Sequence, residues 1–218
     1  MPVKQQAFWS KRKTWLKAIQ STKLPEKFEA LFDKDGWAHI SREDILKEQN
    51  IEKVIYMTVL WGYPSGMRNN YFISIIKKIN TLIAIIETAQ ENGGVASWFD
   101  HFEEVSEIRG LGLSTYSKLL YFLNMQVEGL KPLILDLRLI GVFEENIYEE
   151  FRNLSFLRYG NAPKNYLLYL EVMQSIASKL KVNIDNLEMF LFSFGENIKE
   201  QECESGKGED FPPPPHTT

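Results

Sequence analysis

Apolar residues recur at spacings of three and four along nearly the whole chain, and no stretch alternates cleanly in the manner of a strand, which predicts an all-α protein. Phe8, Trp15 and Ile19 form the stripe of a first helix, and Leu24-Pro25 marks the start of a short second one. Ser41-Arg-Glu-Asp44 resembles a capping box with Asp in place of Glu and opens a helix through Ile45 and Leu46. Asn50 caps the next helix, whose apolar side carries Ile51, Val54, Ile55, Thr58 and Val59. That helix stops at Trp61-Gly-Tyr-Pro-Ser-Gly66, because two glycines and a proline so close together break any helix. A strongly apolar helix resumes near Asn69 and runs to about Gln90, where Asn92-Gly93-Gly94 ends it. Further helices are predicted over residues 95–107, with Val95, Trp98, Phe99, Phe102 and Val105 on one side, over 136–146, from Pro163 at a first turn, and over 184–194. No internal repeat is visible.

Composition sets the class. The chain has 218 residues, 44% hydrophobic and 25% charged, which suits one soluble domain or two small lobes sharing a cleft. Residues 1–200 read as a single helical domain. Residues 201–218, polar, acidic and carrying Pro212 to Pro215, read as a disordered tail. No apolar run approaches a membrane span, since Lys77 and Lys78 interrupt the only long candidate, and the N-terminus lacks the apolar core of a signal peptide. A cytoplasmic monomer that does not engage a membrane is expected. The single Cys203 and the scattered His39, His101 and His216 offer neither a disulfide framework nor metal-ligand spacing, so no metal or other cofactor is expected.

The net charge of −4 conceals an uneven distribution. Residues 196–218 hold six acids against Lys199 and Lys207, so the tail carries the whole excess and the body is neutral. Within the body, the first 27 residues carry seven basic groups against Glu26 alone. A basic N-terminal helix is compatible with phosphate contacts, and equally with an ordinary solvated face.

The richest stretch in chemistry spans residues 108–123, Ile-Arg-Gly-Leu-Gly-Leu-Ser-Thr-Tyr-Ser-Lys-Leu-Leu-Tyr-Phe-Leu. Its Gly-x-Gly follows a helix, not a strand, so the dinucleotide-fold reading of such glycines does not apply. Between two helices, Gly110 and Gly112 predict a tight hairpin whose backbone N–H groups and following helix N-terminus face outward. That arrangement grips one phosphate whatever the base, which suits sequence-independent DNA binding.

These residues resemble the helix-hairpin-helix motif of the DNA glycosylase superfamily that includes endonuclease III, the adenine glycosylases and 8-oxoguanine DNA glycosylase. Downstream, Gly129-Leu-Lys-Pro-Leu-Ile-Leu-Asp136 supplies an aspartate 24 residues after Gly112, where that superfamily carries its essential acid. Trp61-Gly-Tyr-Pro-Ser-Gly-Met-Arg68 together with the Leu-Ser-Thr-Tyr-Ser-Lys run looks like bacterial proteins of the 8-oxoguanine glycosylase fold. The resemblance implies a helix-hairpin-helix glycosylase fold with two helical lobes around a cleft, and double-stranded DNA bearing a damaged or modified base as partner. A monovalent cation at the hairpin would fit the same resemblance. It also implies that Asp136 is catalytic. Cleaving an N-glycosidic bond develops positive charge on the deoxyribose, and a carboxylate beside C1′ stabilises that state while orienting water. The ordinary reading, a helix cap at residue 136, is compatible with the catalytic one.

Bifunctional members carry a Schiff-base lysine two residues after the second hairpin glycine; Ser114 stands there in this chain. A monofunctional enzyme that leaves an abasic site is therefore implied. Lys118, one turn further along the same helix face, reads slightly better as a solvent-exposed lysine than as a second catalytic residue. DNA contacts are expected at Arg109, Gly110, Leu111, Gly112, Ser114, Lys131 and Arg138. A base-flipping wedge or base pocket is expected from Tyr63, Met67, Arg68 and Asn69, with Tyr116 and Phe190 or Phe194 as stacking surfaces. Asp100 and His101, adjacent on a helix, do not face each other and read as surface or cap residues.

Two substrate classes stand level on the sequence: oxidised guanine, and hypermodified bases such as glucosylated hydroxymethylcytosine, on which related bacterial anti-phage glycosylases act. A non-enzymatic DNA-binding module keeping the hairpin, with Asp136 only a cap, is the alternative. A helical interaction protein with a chance Gly-Leu-Gly turn is a third reading.

Overall fold

The computed structural model describes residues 3–19, 23–68 and 70–195. Its elements are mostly helical, as the periodicity predicts, but the chain opens differently. Residues Ala7–Lys11 form a strand, β1, that pairs antiparallel with β2, Trp37–Ser41, from Ala7 opposite Ser41 to Lys11 opposite Trp37. Phe8 therefore belongs to a strand and not to a helical stripe, and the basic residues are dispersed, Lys4 in a 3-10 turn, Lys11 on the ribbon, Lys23 in a connection and the rest on two short helices, α1 (Arg12–Ala18) and α2 (Glu26–Glu29). The period-two signal is masked because Trp9 stays 60% exposed. Its indole lies against His39 and Trp37 on the outer face of the ribbon, at 4.4 Å and 6.2 Å between ring centroids, while Ser10, Ala38 and Ile40 point inward.

The capping expectations are realised. In α3 (Arg42–Lys47) the Ser41 hydroxyl accepts from the Asp44 N–H at 3.1 Å and the Asp44 carboxylate accepts from the Ser41 N–H at 2.8 Å. The Asn50 side chain accepts from the Lys53 N–H and opens α4, Ile51–Gly62, a helix buried from Val54 to Trp61. The single helix expected over residues 69–90 is two, α5 (Tyr71–Lys77) and α6 (Ile79–Glu91). At Lys78 the backbone leaves helical geometry with φ −110°, and its N–H is shared between the carbonyls of Ser74 and Ile75. Then follow α7 (Trp98–Ser106), α8 (Leu113–Phe122), α9 (Leu137–Glu144), α10 (Tyr166–Leu180) and α11 (Ile184–Phe194). No helix among the described residues is long and apolar enough to cross a membrane.

Two features of the packing fix the site. Helix α4 lies against α8, with Trp61 edge-on to both Phe8 and Phe122 at 5.3 Å. The stretch before α9 is extended and deeply buried at Leu133, Ile134 and Leu135, so its backbone polar groups need internal partners. Tyr166 and Tyr169 of α10 donate their hydroxyls to the carbonyls of Leu133 and Ile134 at 2.6 and 2.8 Å, and the Leu135 N–H donates to Ser117 Oγ at 3.1 Å. These bonds tie the approach to Asp136 to both α8 and α10.

Candidate active site

The hairpin between α7 and α8 is built around Gly110, whose φ of +102° disfavours any side chain. A Cβ there would also fall 2.9 Å from Tyr71 Cβ. Gly112 differs: its φ of −66° is open to any residue, and a Cβ would meet only the Tyr159 hydroxyl at 3.3 Å. Ile108 and Leu111, both buried, anchor the turn, which closes through a 3.0 Å bond from the Leu111 N–H to the Ile108 carbonyl. Gly112 caps α8 without a side-chain acceptor, so the first N–H groups of the helix are left for solvent or a ligand.

Beside this hairpin opens a cavity of about 1000 Å³. One wall is the connection after α4, from Gly62 through Tyr63, Met67 and Arg68; another is the hairpin with Ser114 and Thr115. The third is Asp136, Leu137 and Arg138 at the head of α9, with Tyr159 across from the hairpin glycine. Asp136 caps α9: its Oδ1 accepts from the N–H groups of Arg138 and Leu139 at 3.1 and 3.3 Å. Its other oxygen lies 3.5 Å from Lys118 Nζ.

Lys118 is the main correction to the sequence reading. Its side chain is 5% exposed, not solvated. The ammonium donates to the Ser114 carbonyl at 3.0 Å and to Ser114 Oγ at 2.9 Å, while facing Asp136. Burial holds its pKa below the ordinary lysine value in spite of the attraction of Asp136. Gly62 makes room for it, since a Cβ there would sit 3.2 Å from Lys118 Cδ.

The remaining expected site residues divide. Tyr63, Met67, Arg68, Arg109, Gly110, Gly112, Ser114 and Arg138 all line the cavity. Tyr63 is latched by its hydroxyl to Thr115 Oγ1 at 2.6 Å, and the Arg138 guanidinium lies over the Phe192 ring at 5.0 Å. Leu111 turns its side chain into the core, leaving only its backbone at the hairpin. Lys131 is held by Asp185 at 2.6 Å and does not line the cavity. Tyr116 is no stacking surface for a base: it is buried against Trp98 and Phe102, and its hydroxyl pairs with His101 Nε2. Phe194 and Phe190 are exposed but pack on each other, outside the cavity lining. Asn69 lies outside the described residues, as does the tail from 196 onward. Asp100 accepts from Ser97 Oγ at the start of α7, where no side chain caps the helix backbone, and His101 is half buried against Tyr116 instead of lying at the surface.

Sequence reasoning missed Tyr159 and Leu137, two exposed apolar side chains on the cavity wall, and the tyrosines that hold the extended stretch before Asp136. Only the turn composition Arg158-Tyr-Gly-Asn161 could have signalled the first, and nothing local signals a tyrosine that bonds a carbonyl more than thirty residues away.

No curated protein and no solved structure matches the chain. A family profile does, over residues 1–192, and its description reads "Putative 8-oxoguanine DNA glycosylase OGG-like protein". With the hairpin, the aspartate and the cavity between them all inside the matched span, the chain belongs to this OGG-like family of the DNA glycosylases.

Proposed function

We propose that the protein is a monofunctional DNA glycosylase that takes one modified base out of the duplex and hydrolyses its N-glycosidic bond, leaving an abasic site. The observation that carries this is the sharing of one cavity by Asp136 and the hairpin at Gly110–Gly112. The outward N–H groups at the head of α8 bind a backbone phosphate. The loop of Tyr63, Met67 and Arg68 fills the gap left by the departing nucleotide. Asp136 then stands beside C1′, stabilises the developing oxocarbenium charge, and accepts a proton from the attacking water as the C1′–N bond breaks and the base leaves.

The size of the cavity, about 1000 Å³, and the hydroxyl and guanidinium groups of Ser65, Ser114, Thr115 and Arg68 on its walls favour a bulky polar base. A hypermodified cytosine of phage DNA, such as the glucosylated hydroxymethyl form, is the substrate class this supports, with a role in defence. Oxidised guanine is the second reading, favoured by the family description, and would place the enzyme in base-excision repair.

Lys118 supports a second mechanism. A buried amine with a lowered pKa beside a carboxylate is an activated nucleophile: attack on C1′ expels the base, and the resulting Schiff base allows elimination of the 3′ phosphate. Against it, the ammonium already spends its hydrogens on Ser114 and Asp136, which suits a positioning role. The test is to incubate wild type and Asp136→Ala with oxidised bacterial DNA and with phage DNA carrying hydroxymethylated or glucosylated cytosine, and to count aldehyde-reactive sites. Sites made only by wild type, on one DNA, establish excision and name the base class. Salt-sensitive binding without such sites on any DNA means a recognition module instead.

A further inference from the structure

We propose that Tyr159 is the base-stacking residue of this site, an inference that rests on the excision reading above. Tyr159 is 56% exposed and yet lines the cavity, as does Leu137, which is 64% exposed and directly follows Asp136. Single exposed apolar side chains are ordinary on a surface. Two of them in the lining of one cavity with Asp136, the only carboxylate among its described lining residues, offer a base an apolar surface.

The loop that carries Tyr159 is built to hold it still. Leu157 and Ala162, both fully buried, pin its two ends. Between them the Asn161 side chain accepts from the Arg158 N–H at 2.7 Å and donates to the Phe156 carbonyl at 3.0 Å. Arg158 donates to the carbonyls of Ser155 and Leu157, each at 2.8 Å, and its Nε pairs with Glu144 at 2.9 Å. Glu144 ends α9, the helix that Asp136 caps, so this surface ion pair links the loop of the ring to the helix that carries the carboxylate. A ring in the cavity lining, carried on a hydrogen-bonded loop, offers a π-face to a base that has lost its neighbours in the stack, whatever its substituents. Tyr116 and Phe194, the alternatives, do not reach the cavity.

The test compares binding of Asp136→Asn and of Asp136→Asn/Tyr159→Ala to three duplexes of one sequence. One carries a single 8-oxoguanine, one a single glucosylated hydroxymethylcytosine, and one a tetrahydrofuran site, which has the backbone but no base. Removing the ring is expected to weaken binding to the duplex whose base the wild type excises by about 10-fold or more. Binding to the tetrahydrofuran duplex stays within about twofold, and Asp136→Asn/Tyr159→Phe binds as Asp136→Asn does, since stacking needs the ring and not the hydroxyl. Equal loss on the base-bearing and base-free duplexes, or no loss on either, overturns the inference while wild-type excision leaves the glycosylase reading intact. A wild type that forms no abasic site on either base-bearing duplex removes the excision reading for these bases and this inference with it.

Discussion

Lys118 Nζ and Asp136 Oδ2 lie 3.5 Å apart in the lining of one cavity, the lysine the more buried of the two. The lysine comes from the middle of the hairpin helix and the aspartate from the head of the next, and Ser117 fixes their relation by bonding the backbone of Leu135. The relation makes Asp136 both a cap and a carboxylate that faces a cation.

These two roles separate on substitution. Asp136→Asn keeps an oxygen for the Arg138 and Leu139 N–H groups but loses the charge, whereas Asp136→Ala loses both. Abasic-site formation is expected to fall by about 100-fold or more in each, the scale on which removal of a transition-state charge partner is felt. Both variants take the counterion from buried Lys118, and the alanine variant is expected to lose about 1 kcal/mol more than the asparagine one, as for other lost caps. Urea unfolding beside counting of aldehyde-reactive sites reads the two effects. A fully active Asp136→Asn would remove the aspartate from the chemistry.

For Lys118 the pH dependence carries a sign. Its folded pKa lies below 10.5 because burial outweighs the attraction of Asp136. Between the folded and unfolded values the unfolded chain binds more protons, so this group makes the folded state gain stability as pH rises through the window below 10.5. Lys118→Met is expected to remove that part of the slope in a series of urea melts. The same variant, if Lys118 positions Asp136 and Ser114, lowers abasic-site formation while DNA binding is unchanged. Borohydride is then expected to trap no covalent DNA adduct with wild type. A trapped adduct that grows with pH and vanishes in Lys118→Met would instead establish the amine as nucleophile.

The two hairpin glycines are not equivalent, although the sequence presents them alike. Gly110→Ala forces a side chain into positive φ and against Tyr71, and is expected to destabilise the fold by more than about 1 kcal/mol and to weaken DNA binding. Gly112→Ala meets only the tip of Tyr159 and is expected to fold as wild type. Thermal melts and a salt titration of DNA binding compare them. Equal losses in the two variants would mean that backbone conformation is not what the hairpin requires.

The helices, their caps at Ser41 and Asn50, the hairpin and Asp136 were legible because each is a local signal: a period, a cap, a turn, a spacing. The ribbon of β1 and β2 was not, since exposed Trp9 and half-buried Trp37 break the alternation of apolar and polar that marks a strand. Lys118 was misjudged for a related reason. A lysine on a helix face is ordinarily solvated, and only tertiary partners from Gly62 and the head of α9 show why this one is buried. Lys131 shows the reverse, a lysine free to meet a phosphate by position along the chain but taken up by Asp185 in the fold.

A long-range tie in the fold was likewise invisible locally. Arg42, just after the capping Ser41, makes a two-pronged contact with Glu188 of α11, at 2.9 and 3.3 Å, both side chains essentially without solvent. Arg42 Nε donates to Gln6 at 2.7 Å, and its guanidinium lies over Trp61 and Tyr121. Removing one partner leaves a buried charge without its counterion, so Glu188→Leu or Arg42→Met is expected to cost about 3–5 kcal/mol. The double variant Arg42→Met/Glu188→Leu removes both charges and is expected to recover most of that loss, because the desolvation cost disappears with the attraction. Urea unfolding of the four proteins measures the coupling. Additive losses in the double variant would mean that each residue acts through its own packing, and that the pair does not join the N-terminal ribbon to α11 as a unit.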